Sequence, residues 1–141
     1  MSYRIYLNGI VCDKCGLTPD GPLYLPDPTY NLTPIFDLAL TDEPMPNLDV
    51  NELESVVLNK PVDRLRGLRL LSGKKAADTL ELFENALQRL RDPARQASFR
   101  ALEPDNGWGD LRGAITVMEL LQKAAIAYPN HIWEIQLLLK P

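Results

Sequence analysis

The chain has 141 residues, of which 45% are hydrophobic and 24% are charged, and its formal net charge at pH 7 is −4. This length and composition are typical of a single globular domain, which we expect to span residues 1–141. The negative charge argues against general nucleic-acid binding, which shows a basic footprint. No apolar run approaches the roughly 18 residues of a membrane span, and the N-terminus lacks a signal-peptide pattern, so we expect a cytoplasmic protein that does not enter membranes.

Residues 1–26 are predicted to form a β-hairpin that carries two cysteines in its turn. Apolar and polar side chains alternate over residues 3–11, and this period of two is typical of a half-buried strand. Cys12 and Cys15 follow in a short segment that ends in Gly16, which can adopt the positive φ of a tight turn. Residues 22–25 are predicted to return as a short strand at a sheet edge, where proline is tolerated.

Residues 27–130 are predicted to be mainly helical. Thr33 is a candidate N-cap with Pro34 in the first turn, so we expect a helix of about two turns over residues 34–40. The strongest helical pattern follows Asp110, where apolar residues recur at intervals of three and four as far as Ala125. The pattern over residues 62–71 is ambiguous between helix and strand because Gly67 interrupts it. Further helices are predicted over residues 50–58, 74–92 and 94–102.

Residues 131–141 are predicted to form a closing strand. Glu134 and Gln136 are expected on one face of this strand, with Trp133 and Ile135 on the other. Strands at both ends of the chain and helices between them indicate an α+β fold. We expect a small, mostly antiparallel sheet, built from the N-terminal hairpin and the closing strand, with the helices packed on one face.

Cys12 and Cys15 form the sharpest local motif, because two thiolates at this spacing can bind one tetrahedral zinc ion. A structural zinc site needs four ligands, and the sequence offers one histidine, His131, and no second cysteine pair. His131 with Asp13 or water could complete a site in one chain, or a dimer could supply two pairs. A disulfide or redox pair and a plain turn with free thiols are the alternatives. Zinc is therefore the candidate cofactor, with Cys12 and Cys15 as its ligands.

The segment Ser72-Gly73-Lys74-Lys75 precedes a predicted helix, and we name it the lysine corner (residues 72–75). Free backbone N–H groups, the helix dipole and two ammonium groups could converge there on an anion. Arg64, Arg66 and Arg69 lie shortly before it and extend the basic cluster. The segment lacks the upstream glycine and the Ser/Thr of a Walker loop. Two interpretations follow, a phosphate or nucleotide contact and an ordinary solvated face.

The segment Glu103-Pro104-Asp105-Asn106-Gly107-Trp108-Gly109-Asp110 separates two strong helical patterns, and we name it the tryptophan corner (residues 103–110). Its two glycines permit a tight backbone path, and Asp110 is a candidate N-cap for the next helix. Trp108 and Trp133 are interpreted as core residues, with ligand platforms as the alternative. A buried indole N–H needs a hydrogen-bond partner, which Asp105 or Asn106 could supply locally.

Several motifs recur together: Thr29-Tyr30-Asn31 before a short helix, Phe99 soon after a helix that ends in Asp-Pro, and Asn106-Gly107-Trp108-Gly109 before the last helix. This combination resembles a family of small, uncharacterised proteins encoded by bacteriophages and bacteria, over roughly residues 23–136. Many members have histidine where this chain has Tyr30, which argues against a metal role there. The resemblance carries no activity; it implies a phage-type accessory protein in the host cytoplasm.

The first functional hypothesis is a non-enzymatic protein that sequesters a nucleotide-like host defence signal. Such a pocket needs aromatic faces for a base and basic side chains for phosphate, and we expect a homo-oligomer because such pockets are common at oligomer interfaces. Contact between the Thr29-Tyr30-Asn31 segment and the tryptophan corner would form either a pocket rim or a structural clasp. The candidate ligand-binding residues are Thr29, Tyr30, Asn31, Arg66, Arg69, Lys74, Lys75, Asn106 and Trp108.

The second hypothesis is an inhibitor or adaptor that binds a host protein. An acidic cluster could face a basic partner surface, such as the nucleic-acid groove of a host enzyme. The cysteine turn would then be a zinc-knuckle-like structural element. An enzyme is the weakest hypothesis, because a single histidine leaves general acid–base chemistry without an evident partner. The acidic cluster consists of Asp42, Glu43, Asp49, Glu52 and Glu54.

Overall fold

The computed structural model describes residues 2–9, 22–25, 27–43, 65, 67–105, 107 and 109–138. The strands are β1 (Ser2–Asn8), β2 (Pro22–Leu25) and β3 (Ile132–Leu138). The α-helices in this part of the chain are α1 (Thr33–Thr41), α2 (Leu80–Arg91), α3 (Gln96–Arg100) and α4 (Leu111–Ala127). Short 3-10 turns occupy Tyr30–Leu32, Gly67–Leu71, Ala76–Thr79 and Pro93–Arg95. The chain therefore has the α+β fold that its sequence predicts.

The three strands form one antiparallel sheet with the order β2-β1-β3. Ile5 in the central strand pairs with Leu25 on one side and with Ile135 on the other. The alternation of β1 buries Tyr3, Ile5 and Leu7 on one face and leaves the intervening side chains half-buried. The predicted hairpin strands and closing strand are thus confirmed, and this register fixes which functional residues lie at each end of the sheet.

The apolar face of the sheet is covered by the described helices in one hydrophobic cluster. Tyr3 packs edge-on against Phe36 of α1 with 6.2 Å between ring centroids. Trp133 of β3 packs edge-on against Phe83 of α2 with 5.9 Å between centroids. Trp133 is 1% exposed, so its interpretation as a core residue is correct. Among the described helices, none combines the length and the apolar character that a bilayer crossing requires.

The helix predicted over residues 74–92 begins later than expected. The lysine corner pairs with β3 instead, because Gly73 N donates to Trp133 O at 2.8 Å and Trp133 N donates to Lys74 O at 3.0 Å. A 3-10 turn over Ala76–Thr79 then leads into α2 at Leu80. Residues 67–71 form a 3-10 turn rather than a helix or strand. The predicted helix over residues 50–58 and the cysteine turn lie outside the described residues.

Candidate functional site

The tryptophan corner ends in a helix start that two carboxylates stabilise. Asp110 Oδ1 accepts a hydrogen bond from Gly113 N at 2.7 Å, so the predicted N-cap is confirmed. Glu103 Oε2 accepts from Leu111 N at 2.9 Å. Both bonds satisfy backbone donors that lack partners at a helix start, and both place negative charge at the positive end of the helix dipole. The two carboxylates are therefore committed to the first turn of α4.

The tryptophan corner lies against the segment that begins at Thr29. Gly109 has a φ of 127°, and a Cβ built there would lie 2.8 Å from Leu32 Cδ2 and 3.2 Å from Thr29 Cγ2. Only a residue without a side chain allows this approach without a shift of its neighbours. Asn31 contributes its backbone N–H, which donates to Thr29 Oγ1 at 3.3 Å. Two segments that are about 75 residues apart in the chain thus meet through close packing.

A cavity of about 430 Å³ opens to solvent beside the tryptophan corner, and we name it the corner cavity. Its walls come from α3 on one side and from the corner and the first turns of α4 on the other. They combine guanidinium, amide and carboxylate groups with a smaller apolar patch. The described lining residues are Gln96, Arg100, Glu103, Asp110, Leu111, Arg112 and Ile115.

The arginines of the corner cavity differ from others on the same surface. Arg95 contacts Asp42 with 2.6 Å between nitrogen and oxygen, and Arg91 contacts Glu119 at 3.3 Å. Arg100 and Arg112 are exposed and form no ion pair within the described part of the chain. Because no described residue forms an ion pair with these two guanidinium groups, they can donate hydrogen bonds to an anion in the cavity. The wall of the cavity also carries the carboxylates of Glu103 and Asp110.

None of the described sequence-predicted ligand residues lines this cavity. Thr29 pairs with Ser2, which lies opposite Leu138, whereas Lys75 pairs with Ile132 at the other end of β3. Six residues separate these ends, which is about 20 Å at roughly 3.3 Å per residue. Arg69 is half-buried in the Gly67–Leu71 turn between them. Of the predicted residues, the side chains of Tyr30, Arg66, Asn106 and Trp108 lie outside the described set.

The lysine corner does not offer the free backbone donors that its sequence suggests. Lys74 N donates to Leu71 O at 3.1 Å, Ala76 N to His131 O at 2.8 Å and Asp78 N to Lys75 O at 3.0 Å. The expectation of an N–H cradle at this helix start is therefore wrong, since strand pairing and turn formation use these groups. Lys74 and Lys75 remain exposed and could contact an anion through their ammonium groups alone.

Zinc binding by Cys12 and Cys15 stays a prediction, because both cysteines lie outside the described residues. His131, the other candidate ligand, is 9% exposed and its ring packs against Tyr128 with 5.0 Å between centroids. Across the part of the chain that the structure describes, no three His, Cys, Asp or Glu side chains are grouped as metal ligands.

Comparison of the chain with family models, with curated proteins and with solved structures finds no match. The resemblance to bacteriophage and bacterial proteins therefore stays a prediction.

Sequence reasoning missed the cavity residues Gln96, Arg100 and Arg112. Arg100 precedes the tryptophan corner by three residues and Arg112 follows it by two. A corner brings its two flanks together, so a pair of arginines on opposite flanks was a usable signal. The prediction instead favoured basic residues that are clustered in sequence, of which Lys74 and Lys75 lie along β3.

Proposed function

We propose that this protein binds a small nucleotide-like molecule in the corner cavity and holds it without converting it. The observation that carries the proposal is the pair Arg100 and Arg112, exposed beside one cavity and without ion-pair partners among the described residues. The cavity volume of about 430 Å³ falls within the range of about 300–1,000 Å³ that is common for small-ligand sites.

Each part of such a ligand has a chemical counterpart in the cavity. A guanidinium group binds phosphate through two parallel N–H donors, which suits Arg100 and Arg112 to a phosphate or phosphodiester. The amide of Gln96 can donate to and accept from the edge of a base. Leu111 and Ile115 supply apolar surface against which a ring can pack. Binding rather than catalysis is proposed because Glu103 and Asp110 already accept bonds from the backbone of α4.

The proposal places the protein in the cytoplasm of a host cell as a phage-type accessory protein that sequesters a defence signal. This biological setting rests on the family resemblance alone. A homo-oligomer is part of the same proposal, and sedimentation velocity of the free and ligand-loaded chain measures it. If both the free and the ligand-loaded chain sediment as monomers, the proposed homo-oligomer is wrong, whereas the proposed binding in the corner cavity is unaffected.

Thermal unfolding in the presence of cyclic nucleotides and cyclic dinucleotides tests the binding proposal. A ligand at 100 times its Kd stabilises the folded chain by about 2.7 kcal/mol. We expect Arg100→Ala and Arg112→Ala each to weaken binding by about tenfold or more, since each removes a charge-assisted contact. Arg91→Ala is the matched control, because Arg91 is an exposed arginine that does not line the corner cavity.

Two results would contradict this proposal. One is a flat thermal response across the nucleotide panel at millimolar concentration. The other is an equal loss of affinity in Arg91→Ala, which would show that net positive charge matters rather than the position of the arginines. If Arg100→Ala, Arg112→Ala and Arg91→Ala change the affinity for a nucleotide by the same factor, that nucleotide does not bind in the corner cavity.

One observation favours the second candidate function, an inhibitor or adaptor that binds a host protein. Leu120 and Ile126 of α4 are 42% and 62% exposed and line one open cavity with Arg91. Of the predicted acidic cluster, Asp42 contacts Arg95 and Arg89, and Asp49, Glu52 and Glu54 lie outside the described residues. A purified nucleic-acid enzyme with a basic groove is the partner to titrate. Leu120→Ser with Ile126→Ser should abolish binding, and unchanged affinity in that variant would exclude this face.

A further inference from the structure

A second, smaller cavity separates the β2 side of the sheet from α4, and we name it the apolar crevice. Its volume is about 220 Å³, below the range of about 300–1,000 Å³ that holds drug-sized ligands. Nearly all of its wall is hydrocarbon, from the sheet below and from one face of α4 above. Asp27 is the only charged residue among the described ones that line it. The lining residues are Ile5, Leu25, Asp27, Pro28, Val117, Leu120 and Leu121.

The path of the chain after β2 places Asp27 in this crevice. Ile5 pairs with Leu25 and Ser2 pairs with Thr29, so three steps along β1 face four steps along the neighbouring segment. One extra residue on one side of an antiparallel pair is a β-bulge, which redirects side chains at a sheet edge. Tyr3 N still donates to Pro28 O at 2.9 Å, so the segment stays attached to β1 across the bulge.

One oxygen of the Asp27 carboxylate, Oδ1, is buried in this position and has no hydrogen-bond partner among the described residues. A buried carboxylate oxygen without a donor is unfavourable, and native proteins rarely leave one so. Val117 and Leu121 present only carbon, so the described residues of the opposite wall offer no side-chain donor. The missing partner is a donor, and preferably a cation, with an apolar body attached.

We propose that the apolar crevice binds a small organic ammonium ion. Its N–H groups donate to the carboxylate of Asp27, which lines the crevice, and its alkyl body contacts the hydrocarbon of Val117 and Leu121. A charge-assisted hydrogen bond is stronger than a neutral one and gains further where water is excluded. Volume limits the ligand to a short alkyl or small ring body. This site is separate from the corner cavity, and none of its described lining residues is shared with it.

The test titrates the full chain with hexylammonium and, separately, with 1-hexanol and hexanoate. Two-dimensional NMR follows the methyl signals of Ile5, Val117 and Leu121. We expect saturable shifts with hexylammonium that are confined to the crevice methyl groups. Affinity for 1-hexanol should be weaker by about tenfold or more, because it lacks the charge that pairs with Asp27. Hexanoate should be excluded by like-charge repulsion.

The variants separate recognition by the carboxylate from simple apolar binding. Asp27→Asn keeps the shape and removes the charge, and it should lose about tenfold or more of the hexylammonium affinity. Asp105→Asn is the matched control, since Asp105 is exposed and does not line the crevice. Equal binding of hexanol and hexylammonium to the unmodified chain would overturn the proposal, whatever the variants do. Undiminished affinity in Asp27→Asn would also overturn it, and Asp27 would then be an inward charge that protects the sheet edge from pairing.

Discussion

The lysine corner and the tryptophan corner both contain glycines and precede helical segments, but they use their backbone donors differently. At the lysine corner, Gly73 N and Ala76 N donate to carbonyl groups at the edge of β3, at 2.8 Å in each case. At the tryptophan corner, Leu111 N and Gly113 N donate to the carboxylates that flank the start of α4. Neither corner has a free N–H cradle for an anion at these positions.

This difference shows what makes a glycine-bearing corner available to a ligand. Strand pairing at the lysine corner uses the backbone donors and leaves Lys74 and Lys75 exposed. Carboxylate capping at the tryptophan corner also uses backbone donors, and the described residues form no ion pair with Arg100 or Arg112 there. The cavity there is lined by side chains whose charge is not neutralised by an ion pair.

Gly109→Ala should have the largest effect, because it breaks the contact between the tryptophan corner and Leu32. A φ of 127° is strained for alanine, and the new Cβ would lie 2.8 Å from Leu32 Cδ2. Strain and overpacking together predict a loss of about 2–4 kcal/mol in the free energy of unfolding. Gly73→Ala, with a φ of 85° and no atom within 4 Å of the new Cβ, should cost about 1–2 kcal/mol.

Chemical denaturation of both variants measures this comparison. Gly107→Ala is a second control within the same corner, since its φ is 74° and its new Cβ meets nothing within 4 Å. Gly109→Ala should cost less in a Leu32→Ala background than in the unmodified chain, because the clash is removed; Leu32→Ala alone, which truncates a core residue, is the reference. Equal losses at the three glycine positions would show that backbone strain alone decides the outcome and that the packing on Leu32 is unimportant.

Thr79→Val should have the second largest effect on stability, because it leaves buried polar groups near the lysine corner without hydrogen-bond partners. Thr79 Oγ1 accepts from Trp133 Nε1 at 3.0 Å and donates to Ala76 O at 2.7 Å. The isosteric change orphans both groups, which predicts a loss of about 1–3 kcal/mol in the free energy of unfolding. Thr116→Val removes a similar bond at an exposed site, to Arg112 O at 3.1 Å, and should change stability by less than about 0.5 kcal/mol. Equal losses of unfolding free energy in Thr79→Val and Thr116→Val would contradict the expectation that a buried hydrogen bond matters more than an exposed one.

The bond between Trp133 and Thr79 also marks the limit of what the sequence could predict. The alternation that buries Trp133 and Ile135 is local, and so is the capping of α4 by Asp110, and both were predictable from a few residues. The partner of Trp133 lies 54 residues away in the chain. Likewise, pairing of the lysine corner with β3 depends on which segment lies at the sheet edge, and no local pattern specifies that.

The corner cavity could not be predicted from the sequence, because it too depends on contacts between distant segments. Arg100 and Arg112 lie on different helices, and their common cavity exists only because α3 and α4 meet at the tryptophan corner. The sequence instead drew attention to Lys74, Lys75 and Arg69, which are close in the chain. Basic residues that are close in sequence lie together near one edge of the sheet. The corner cavity instead forms between two helices, so its arginines are separated in the sequence.

Asp110→Ala should have an intermediate effect that is specific to the tryptophan corner. It removes the acceptor for Gly113 N, and loss of an N-cap typically costs about 1 kcal/mol. Asp110→Asn retains an acceptor oxygen and should recover most of that stability in chemical denaturation. Arg112 would keep its place beside the cavity in both variants. An Asn variant as unstable as the Ala variant would show that charge at the helix dipole, rather than the hydrogen bond, provides the stabilisation.

Lys74→Ala with Lys75→Ala should have the smallest effect on both stability and nucleotide binding. Both lysines are exposed, so the change in unfolding free energy should stay within about 0.5 kcal/mol per site. Lys75 lies at the opposite end of the sheet from Thr29, which contacts the tryptophan corner. The variant should therefore bind any responsive nucleotide as tightly as the unmodified chain in the thermal assay. A loss of affinity as large as that of Arg100→Ala would reverse the comparison, because the exposed ammonium groups along β3 would then bind the phosphate.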